Sequence, residues 1–301
     1  MDPAASHEPV LRQAVVELLC VKGHKVLLDC TVGLGGHAEA LLDVADADAR
    51  LIGIDVDEGN LHISKKTLER FGPRVRVFKA NFTEIPTVLA EADAGSVDVL
   101  LADLGFASNQ MDDPARGLSF SADGPLDMRL DRRTARTAAD LVNKLGEKEL
   151  ADLIYANGEE RYSRRIAKAI VLARKAGRIE RTGELARIVS GAYPAAARRS
   201  RRGVHPATRT FQALRIAVND ELGSLDRLLS LLPDVLAPLG RAGIISFHSL
   251  EDRRVKQAFA AWAAGGQAAI LTRKPVTATD EEIQRNPRSR SAKLRVIERA
   301  S

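Results

Sequence analysis

Residues 97–110 read Val-Asp-Val-Leu-Leu-Ala-Asp-Leu-Gly-Phe-Ala-Ser-Asn-Gln, and they are the most informative segment for the architecture. Its apolar run predicts a buried strand over 97–102 that stops at Asp103. An irregular segment rich in Asp, Gly, Pro and Ser then continues to Arg129. Open α/β sheets bind their ligands in such segments, at the carboxyl ends of apolar strands. We therefore predict an α/β sheet with a ligand-binding loop after this strand.

Strands and helices alternate on both sides of this stretch, which is typical of a parallel, doubly wound sheet. Apolar runs predict strands over 25–31, 50–56, 75–80, 97–102, 241–247, 269–276 and 293–298. Helical periodicity predicts helices over 8–22, 37–43, 60–71 and 84–92. A capping box at 249–252 predicts the start of a further helix.

The alternation stops after the fourth predicted strand. From about 134 to 195 the periodicity is only helical, with helices predicted over 138–145, 147–155, 160–176 and 182–192. One amphipathic helix is predicted over 208–231. The sequence thus predicts a sheet domain over 1–110 and 206–301, interrupted by a basic all-helical domain over 111–205.

Positive charge is concentrated in the predicted insertion. The net charge of the chain is +5, but residues 129–209 hold 20 Lys and Arg against 9 Asp and Glu, a local charge of +11. Four arginines fall within Arg198–Arg202. Clustered arginines favour nucleic acid as the partner, and a solvated basic helical face is the alternative.

Composition excludes several classes of protein. The chain of 301 residues is 45% hydrophobic and 28% charged, as in a globular protein. Its apolar runs are shorter than the roughly 18 residues that span a bilayer. The N-terminus lacks the pattern of a signal peptide. Cys20 and Cys30 do not form a metal-ligand cluster, so we predict no metal, free thiols and a cytoplasmic location.

Polar residues follow the predicted strands in a pattern that suits a nucleoside. Residues 29–37, Asp-Cys-Thr-Val-Gly-Leu-Gly-Gly-His, contain a glycine turn that does not match the dinucleotide pattern. Asp55, at the end of the second strand, suits ribose hydroxyls, and a helix N-cap is the alternative for Asp55 and Asp57. Phe82 suits an adenine or the core. Together with Asp103, these residues predict S-adenosylmethionine, a nucleoside cofactor without a pyrophosphate.

Seven segments of the chain resemble the ribosomal RNA small-subunit methyltransferase H family. They are His7-Glu-Pro-Val10, Asp29-Cys-Thr-Val-Gly-Leu-Gly-Gly-His37, Asp103-Leu-Gly105 with Gln110-Met-Asp-Asp113, Asp123-Gly-Pro-Leu-Asp-Met-Arg129, His205-Pro-Ala-Thr-Arg-Thr-Phe-Gln-Ala-Leu-Arg215, Ser246-Phe-His-Ser-Leu-Glu-Asp252 and Asn286-Pro-Arg-Ser-Arg-Ser-Ala-Lys-Leu-Arg295. The resemblance implies a Rossmann-like class I methyltransferase sheet with an inserted helical domain. It also implies methylation of the exocyclic N4 of one cytidine in 16S rRNA near the decoding centre, within the small ribosomal subunit or its late precursor.

The resemblance implies a set of cofactor-binding residues. They are Gly35, Gly36, His37, Asp55, Phe82, Asp103 and Gln110. The chain departs from the family pattern in one place, where the family usually reads Gly-Val-Ser-Ser-Pro-Gln and this chain reads Gly-Phe-Ala-Ser-Asn-Gln over 105–110. The proline is lost at Asn109, which restores a backbone N–H donor.

Asp103 is the candidate catalytic residue. An acceptor beside the cytosine N4 would draw the amine toward tetrahedral geometry and receive its proton. A backbone carbonyl within 104–107 is an alternative, as is a role of Asp103 toward the cofactor alone. Methylation at C5 would need a thiolate, and neither cysteine follows the fourth strand. A DNA amino-methyltransferase and an RNA-binding assembly factor with a vestigial pocket remain the competing functions.

Several polar residues are candidates for substrate binding. They are Asp127, Arg129, Arg201, Arg202, Arg209, Arg215, His248, Arg288 and Arg290. His248 is equally compatible with a structural role, and the polar stripe of the helix beginning at Thr208 with helix capping and internal hydrogen bonds. Unpaired RNA with an unstacked base is the expected target. A homodimer is a further expectation.

Overall fold

A computed structural model describes residues 8–19, 23–194 and 205–301. Its strands form one mixed sheet. They are β1 (Val26–Asp29), β2 (Arg50–Asp55), β3 (Val75–Lys79), β4 (Val97–Asp103), β5 (Leu236–Ser246), β6 (Ala268–Ile270), β7 (Val276–Thr277) and β8 (Lys293–Arg299). The α-helices are α1 (Arg12–Leu19), α2 (Gly36–Val44), α3 (Glu58–Thr67), α4 (Ile85–Glu91), α5 (Ser108–Asp112), α6 (Ala138–Lys144), α7 (Glu147–Gly158), α8 (Ser163–Ala173), α9 (Thr182–Ala192), α10 (Thr208–Asn219), α11 (Glu221–Val235), α12 (Ser249–Ala264) and α13 (Asp280–Arg285). Across the described ranges, none of these helices is long and apolar enough to cross a membrane.

The sheet has the order β3-β2-β1-β4-β5-β8-β6, and β7 also pairs with β8. Strands β1 to β5 are parallel to one another, whereas β8 runs antiparallel to β5, β6 and β7. This arrangement confirms the predicted Rossmann-like class I methyltransferase sheet with its antiparallel terminal strands. Because β3, β2, β1 and β4 are parallel neighbours, their carboxyl ends lie on one edge.

Alternating side chains of the strands build a core on each face of the sheet. Leu28 and Leu100 point into one core, which also contains side chains of α4, α11 and α12. Leu27 and Leu101 point into the other, with side chains of α1, α2 and α3. A sheet buried on both faces needs continuous apolar strands, and this is the pattern that made the strands recognisable in the sequence.

The chain divides into two compact units. The sheet unit comprises residues 1–107 and 222–301, and the helical unit comprises 108–221. Within the helical unit, α7 packs against α8 and α10, and α9 packs against α8. At Gly158 of α7, a Cβ atom would lie 2.6 Å from the carbonyl oxygen of Arg209, so a glycine permits the close approach of α10. Residues 108–110 and 206–221, which were predicted to belong to the sheet domain, therefore belong to the helical unit.

Two predicted elements are each divided in the structure. The single helix predicted over 208–231 is wrong, because Asp220 has a φ of +47° and separates α10 from α11. The apolar period continues through this break, so periodicity could not reveal it. The strand predicted over 269–276 is also wrong. Pro275 precedes β7, and a proline lacks the N–H that a ladder requires.

Two local predictions near the sheet edge are corrected as well. The capping box is not at 249–252, since the N-cap of α12 is His248 and its partner is Glu251. The segment after Asp103 is not wholly irregular, because it contains α5 and a 3-10 turn at Pro114–Arg116. A helix of five residues is too short to show a helical period.

Candidate functional site

Three carboxylates lie at the carboxyl edge of the sheet. Asp29, Asp55 and Asp103 are the last residues of β1, β2 and β4, which are neighbours in the order β2-β1-β4. The edge thus combines acidic residues from three separate parts of the chain. Such an edge is the usual ligand position in an open α/β sheet.

His37 lies beside these carboxylates in the first turn of α2 and is 7% exposed. Its Nε2 is 3.6 Å from Oδ2 of Asp103. Within the part of the chain that the structure describes, both ring nitrogens of His37, Oδ1 of Asp103 and Oδ2 of Asp29 are buried without a hydrogen-bond partner. Buried polar atoms nearly always have partners, so this group is suited to receive a polar ligand.

Burial changes the protonation of two of the carboxylates. It raises the pKa of Asp29 to about 6, although His37 and a hydrogen bond from the backbone of Thr31 oppose the change. Burial also raises the pKa of Asp55 to about 6, against hydrogen bonds from Asp57, Asn60 and Gly33. A positive charge on a bound ligand would lower both pKa values again, because it favours the ionised form.

The glycine turn connects β1 to α2 and is tied to β2. The backbone N–H of Gly33 donates to Oδ2 of Asp55 at 3.0 Å. Gly35 has a φ of +92°, a conformation that glycine adopts without strain. At Gly36, a Cβ atom would lie 2.7 Å from Cγ of Pro9. The glycines are thus needed for the local fold of the turn. The same turn also lies at the carboxyl edge of the sheet, where a ligand would bind.

The structure separates the roles of the two acids after β2. Asp57 is the N-cap of α3, because its side chain accepts hydrogen bonds from the N–H groups of Gly59 and Asn60. Asp55 instead faces the glycine turn and accepts hydrogen bonds from Gly33, Asp57 and Asn60. The capping alternative therefore holds for Asp57, and Asp55 remains at the edge of the sheet.

Two other predicted cofactor residues lie in short helical segments. Phe82 begins a 3-10 turn after β3 and packs partly buried against the core that contains α4. Gln110 is buried within α5 of the helical unit. Asn109 is the second residue of α5, where a helix tolerates proline. The family proline and this asparagine are thus compatible with the same local fold.

Asp127 and Arg129 bind each other. The Arg129 guanidinium donates to both carboxylate oxygens of Asp127 at 2.7 and 2.8 Å, and also to the carbonyl of Thr134. This bidentate pair lowers the pKa of Asp127 despite partial burial. The backbone is equally constrained, because a Cβ atom at Gly124 would collide with the carbonyl oxygen of Pro114. Both predicted substrate residues therefore shape the segment before α6 within the helical unit.

The two arginines predicted on the helix beginning at Thr208 also have partners. Arg209 donates to the carbonyl of Glu159 at 2.8 Å. Arg215 forms a bidentate ion pair with Glu221 across the break between α10 and α11, at 2.8 and 2.9 Å. This pair favours internal bonding, the alternative that the sequence left open for this helix.

The remaining predicted substrate residues differ in their surroundings. His248 accepts a hydrogen bond from the N–H of Glu251, and its Nε2 lies 3.2 Å from the Glu251 carboxylate, which supports the structural alternative. Arg288 and Arg290 are exposed in the 3-10 turn at Pro287–Ser291. Arg201 and Arg202 lie outside the described residues.

Asp29 is a site residue that the sequence reasoning did not single out. Its signal was present, since it is an acid that ends an apolar strand, as Asp103 is. It was read only as part of the glycine-turn segment. Asp29 is only 1% exposed and one of its carboxylate oxygens has no hydrogen-bond partner, because β1 packs between β2 and β4.

The edge has the chemistry that a positively charged nucleoside requires. Carboxylates attract a positive charge and accept hydrogen bonds from ribose hydroxyls and amines. The buried, unpaired oxygens of Asp29 and Asp103 supply such acceptors. The residues present at the edge therefore fit S-adenosylmethionine, which carries a sulfonium, an amine and a ribose.

Comparisons with known proteins give a consistent result. The sequence profile of the MraW methylase family matches residues 4–300. The "Ribosomal RNA small subunit methyltransferase H" of Symbiobacterium thermophilum is 48% identical over 98% of this chain and 96% of its own length. The protein of the same name from Geobacter sulfurreducens is 48% identical over 98% of this chain and 99% of its own length.

Proposed function

Because this chain belongs to the MraW methylase family, we propose that it methylates the exocyclic N4 of one cytidine in 16S rRNA, near the decoding centre of the small ribosomal subunit. The observation that carries the proposal is the similarity to relatives named "Ribosomal RNA small subunit methyltransferase H", which extends over nearly the full length of both chains. The N4 position and the decoding centre come from the family resemblance of the sequence motifs.

The cofactor is S-adenosylmethionine, which supplies an electrophilic methyl group on a positively charged sulfur. We propose that the chain binds it at the carboxyl edge of the sheet, with the residues that the family resemblance implies. The residues are Gly35, Gly36, His37, Asp55, Phe82, Asp103 and Gln110. The negative charge of Asp29 would also attract the cofactor, since Asp29 is buried at the same edge near His37 and Asp103.

We propose that Asp103 receives the proton of the target amine. Its backbone is fixed, because the Asp103 N–H donates to Oγ1 of Thr31 at 2.7 Å. The unpaired Oδ1 would accept a hydrogen bond from the N4–H and then take that proton, directly or through a water. A backbone carbonyl within 104–107 is the alternative acceptor. Positioning of the amine would supply much of the acceleration.

The state of Cys30 supports an amine target over a ring carbon. Methylation at cytosine C5 needs a thiolate that can reach the base. Cys30 is a buried free thiol in the core that contains α4, and burial raises its pKa well above the ordinary value. Cys20 lies outside the described residues. Cys30 is thus an unsuitable nucleophile.

The RNA partner would be the small subunit or its late precursor, recognised by the basic helical unit and by the exposed turn at Pro287–Ser291. Asp127, Arg129, Arg209 and Arg215 would act by shaping this unit, since each has an internal partner. Arg201, Arg202, Arg288 and Arg290 remain candidates for phosphate contacts, and His248 for the base pocket. Cytoplasmic location and a homodimer stay predictions.

Mass-spectrometric mapping of 16S rRNA tests the proposal directly. RNA from cells with and without this protein would be digested, and every methylated cytidine located and its methyl position assigned. We expect one N4-methyl group near the decoding centre to depend on the protein. An unchanged methylation map, or a lost methyl on C5, would contradict the proposal. A purified protein that fails to bind S-adenosylmethionine at millimolar concentration would favour the assembly-factor alternative.

A further inference from the structure

A stretch of the helical unit carries positive charge without any acid. Residues 161–179 contain seven Lys and Arg and no Asp or Glu. They include α8 and the turns on either side of it. Most helices of this chain mix both signs of charge, so the composition of this stretch calls for an explanation from its contacts.

Two of the seven cations have structural partners. Arg174 donates from Nη1 to the carbonyl oxygens of Val142 and Leu145, both at 2.8 Å, and so caps the end of α6. Arg178 forms an ion pair with Asp140 at 3.3 Å. These two residues stabilise the helical unit. Their presence does not account for the other five.

The cations within α8 itself project from the helix side that faces away from the unit. The buried side of α8 consists of Ser163, Ile166, Ala167 and Ile170. At 100° per residue, the opposite side carries Arg164, Arg165 and Lys168, all exposed, together with the exposed Leu172. Arg161, in the preceding turn, is exposed and lies over the ring of Tyr162 at 4.6 Å. We name Arg161, Arg164, Arg165 and Lys168 the α8 cationic face.

The nearest acid along the chain does not neutralise this face. Glu160 is 1% exposed, and its carboxylate binds the hydroxyl of Tyr193 and the backbone N–H of Tyr162. Several exposed cations elsewhere in the described part of the helical unit do have acidic partners. Examples are the pairs Arg133–Asp131, Lys144–Asp140 and Arg181–Asp123. The α8 cationic face is therefore a concentration of exposed positive charge on one rigid helix.

We propose that the α8 cationic face binds the phosphodiester backbone of the RNA substrate, an inference that rests on the proposed function. A helix rises about 1.5 Å per residue, so Arg164 to Lys168 covers roughly 6 Å, enough for about two consecutive phosphates, and Arg161 extends the face into the preceding turn. Guanidinium groups bind phosphate oxygens in bidentate geometry. Contacts to phosphates carry no base sequence, so this face orients the RNA and leaves the choice of cytidine to the sheet edge.

The test compares two triple variants of the full-length protein that lose the same charge. One is Arg164→Gln, Arg165→Gln and Lys168→Gln; the control is Arg133→Gln, Lys144→Gln and Arg178→Gln, whose cations already have acidic partners. Glutamine is a good helix former, and the replaced side chains are exposed, so both variants should fold. Circular dichroism and S-adenosylmethionine binding verify the fold of each.

Binding to 16S rRNA transcribed in vitro is measured across a salt series, and methylation is measured on small subunits from cells that lack the protein. For the α8 variant we expect Kd to rise at least about tenfold, and the slope of log K against log salt to shrink by about two, since each lost phosphate contact removes roughly 0.7–0.9. We expect KM for the subunit to rise while kcat stays within about twofold. The control should show a smaller change in slope.

Each outcome of this experiment decides the inference. Equal Kd and slope for the wild type and the α8 variant would overturn it and leave the proposed function intact. Weaker binding to the subunit with unchanged binding to naked rRNA would assign the face to a ribosomal protein and also overturn it. A wild-type protein that binds rRNA through this face but does not methylate the subunit would support the face and contradict the proposed function.

Discussion

Asp29 is a carboxylate held in the interior of the sheet edge. Burial raises its pKa to about 6, above the ordinary value of about 3.9. The folded chain therefore keeps this proton at pH 5, where the unfolded chain has lost it. The free energy of unfolding should fall as pH rises from about 4 to 6, and the contribution of Asp29 should be constant above that range.

The variant Asp29→Asn should remove the destabilisation that a buried negative charge causes at high pH. The amide oxygen can still accept the hydrogen bond from the N–H of Thr31. We expect the free energy of unfolding at pH 8 to rise by about 1–3 kcal/mol, with a smaller gain at pH 4.5. Urea unfolding of the cofactor-free protein at both pH values measures it. Asp93→Asn, on the surface, is the control and should change little. A less stable Asp29 variant at pH 8 would contradict the assignment.

Asp103→Asn distinguishes a role in catalysis from a role in binding. The amide keeps the shape of the side chain but cannot take a proton from the amine. If Asp103 is the acceptor, the single-turnover rate at saturating S-adenosylmethionine should fall by about 10²–10⁴. Asp55→Asn is the matched control and should weaken cofactor binding with a smaller effect on that rate. An Asp103 variant with reduced affinity and an unchanged rate would show that the residue serves the cofactor alone.

At the scale of elements, Asn219 connects the end of α10 to the segment before α6. Its Nδ2 donates to the carbonyls of Met128 and Arg215, and its Oδ1 accepts the N–H of Leu130. Met128 has a φ of +65°, an unfavourable conformation for a residue with a side chain. Asn219 therefore holds a strained segment in place.

Asn219→Ala should loosen this segment without unfolding the chain. Two backbone groups lose their partner, which costs about 1–3 kcal/mol, or roughly 5- to 150-fold in the local opening equilibrium. Hydrogen exchange of the peptide over 126–132 should accelerate accordingly. Asn157→Ala removes a longer bond, at 3.5 Å to the carbonyl of Ala213, and should leave this peptide unchanged. Equal exchange in both variants would show that Asn219 is not the anchor.

At the scale of the whole molecule, most of the proposed cofactor residues belong to the sheet unit, and the α8 cationic face belongs to the helical unit. Hydrogen exchange should detect this separation. With S-adenosylmethionine present, we expect slower exchange over 29–37, 55–57 and 103–112, because these segments carry the proposed cofactor residues. Exchange in α7, α8 and α9 should not change. Protection confined to the helical unit would contradict a cofactor site at the sheet edge.

Most of the architecture could be predicted from the sequence, since it depends on long patterns. Buried strands appear as apolar runs and amphipathic helices as a 3.6-residue period, so the sheet and the helical insertion were both recognisable. The predictions of element boundaries fail where a single residue determines the end of a helix or its cap. One left-handed residue, Asp220, divides a continuous helical pattern, and one side chain, His248, takes the capping position that Ser249 was expected to fill.

The candidate site was predictable only in part. The sequence by itself determined which residues end the strands, because an acid or a glycine after an apolar run is visible in any chain. It could not determine which cations and acids pair, since Arg215–Glu221 and Arg174 with the end of α6 depend on packing. Hence Asp127, Arg129 and Arg215 were read as substrate residues, although the structure gives each an internal partner.

The sequence alone determined that this protein is an α/β chain with acids at strand ends and a basic insertion. Tertiary structure decided that Asp29, Asp55 and Asp103 share one edge, because strand order is a property of the sheet and not of the chain. It also decided which positive charges remain exposed, since seven cations between 161 and 179 look alike until α8 buries its apolar side. Secondary structure depends on the pattern of neighbouring residues, whereas the burial of a side chain and its bonding partners depend on contacts between segments that are distant in the sequence.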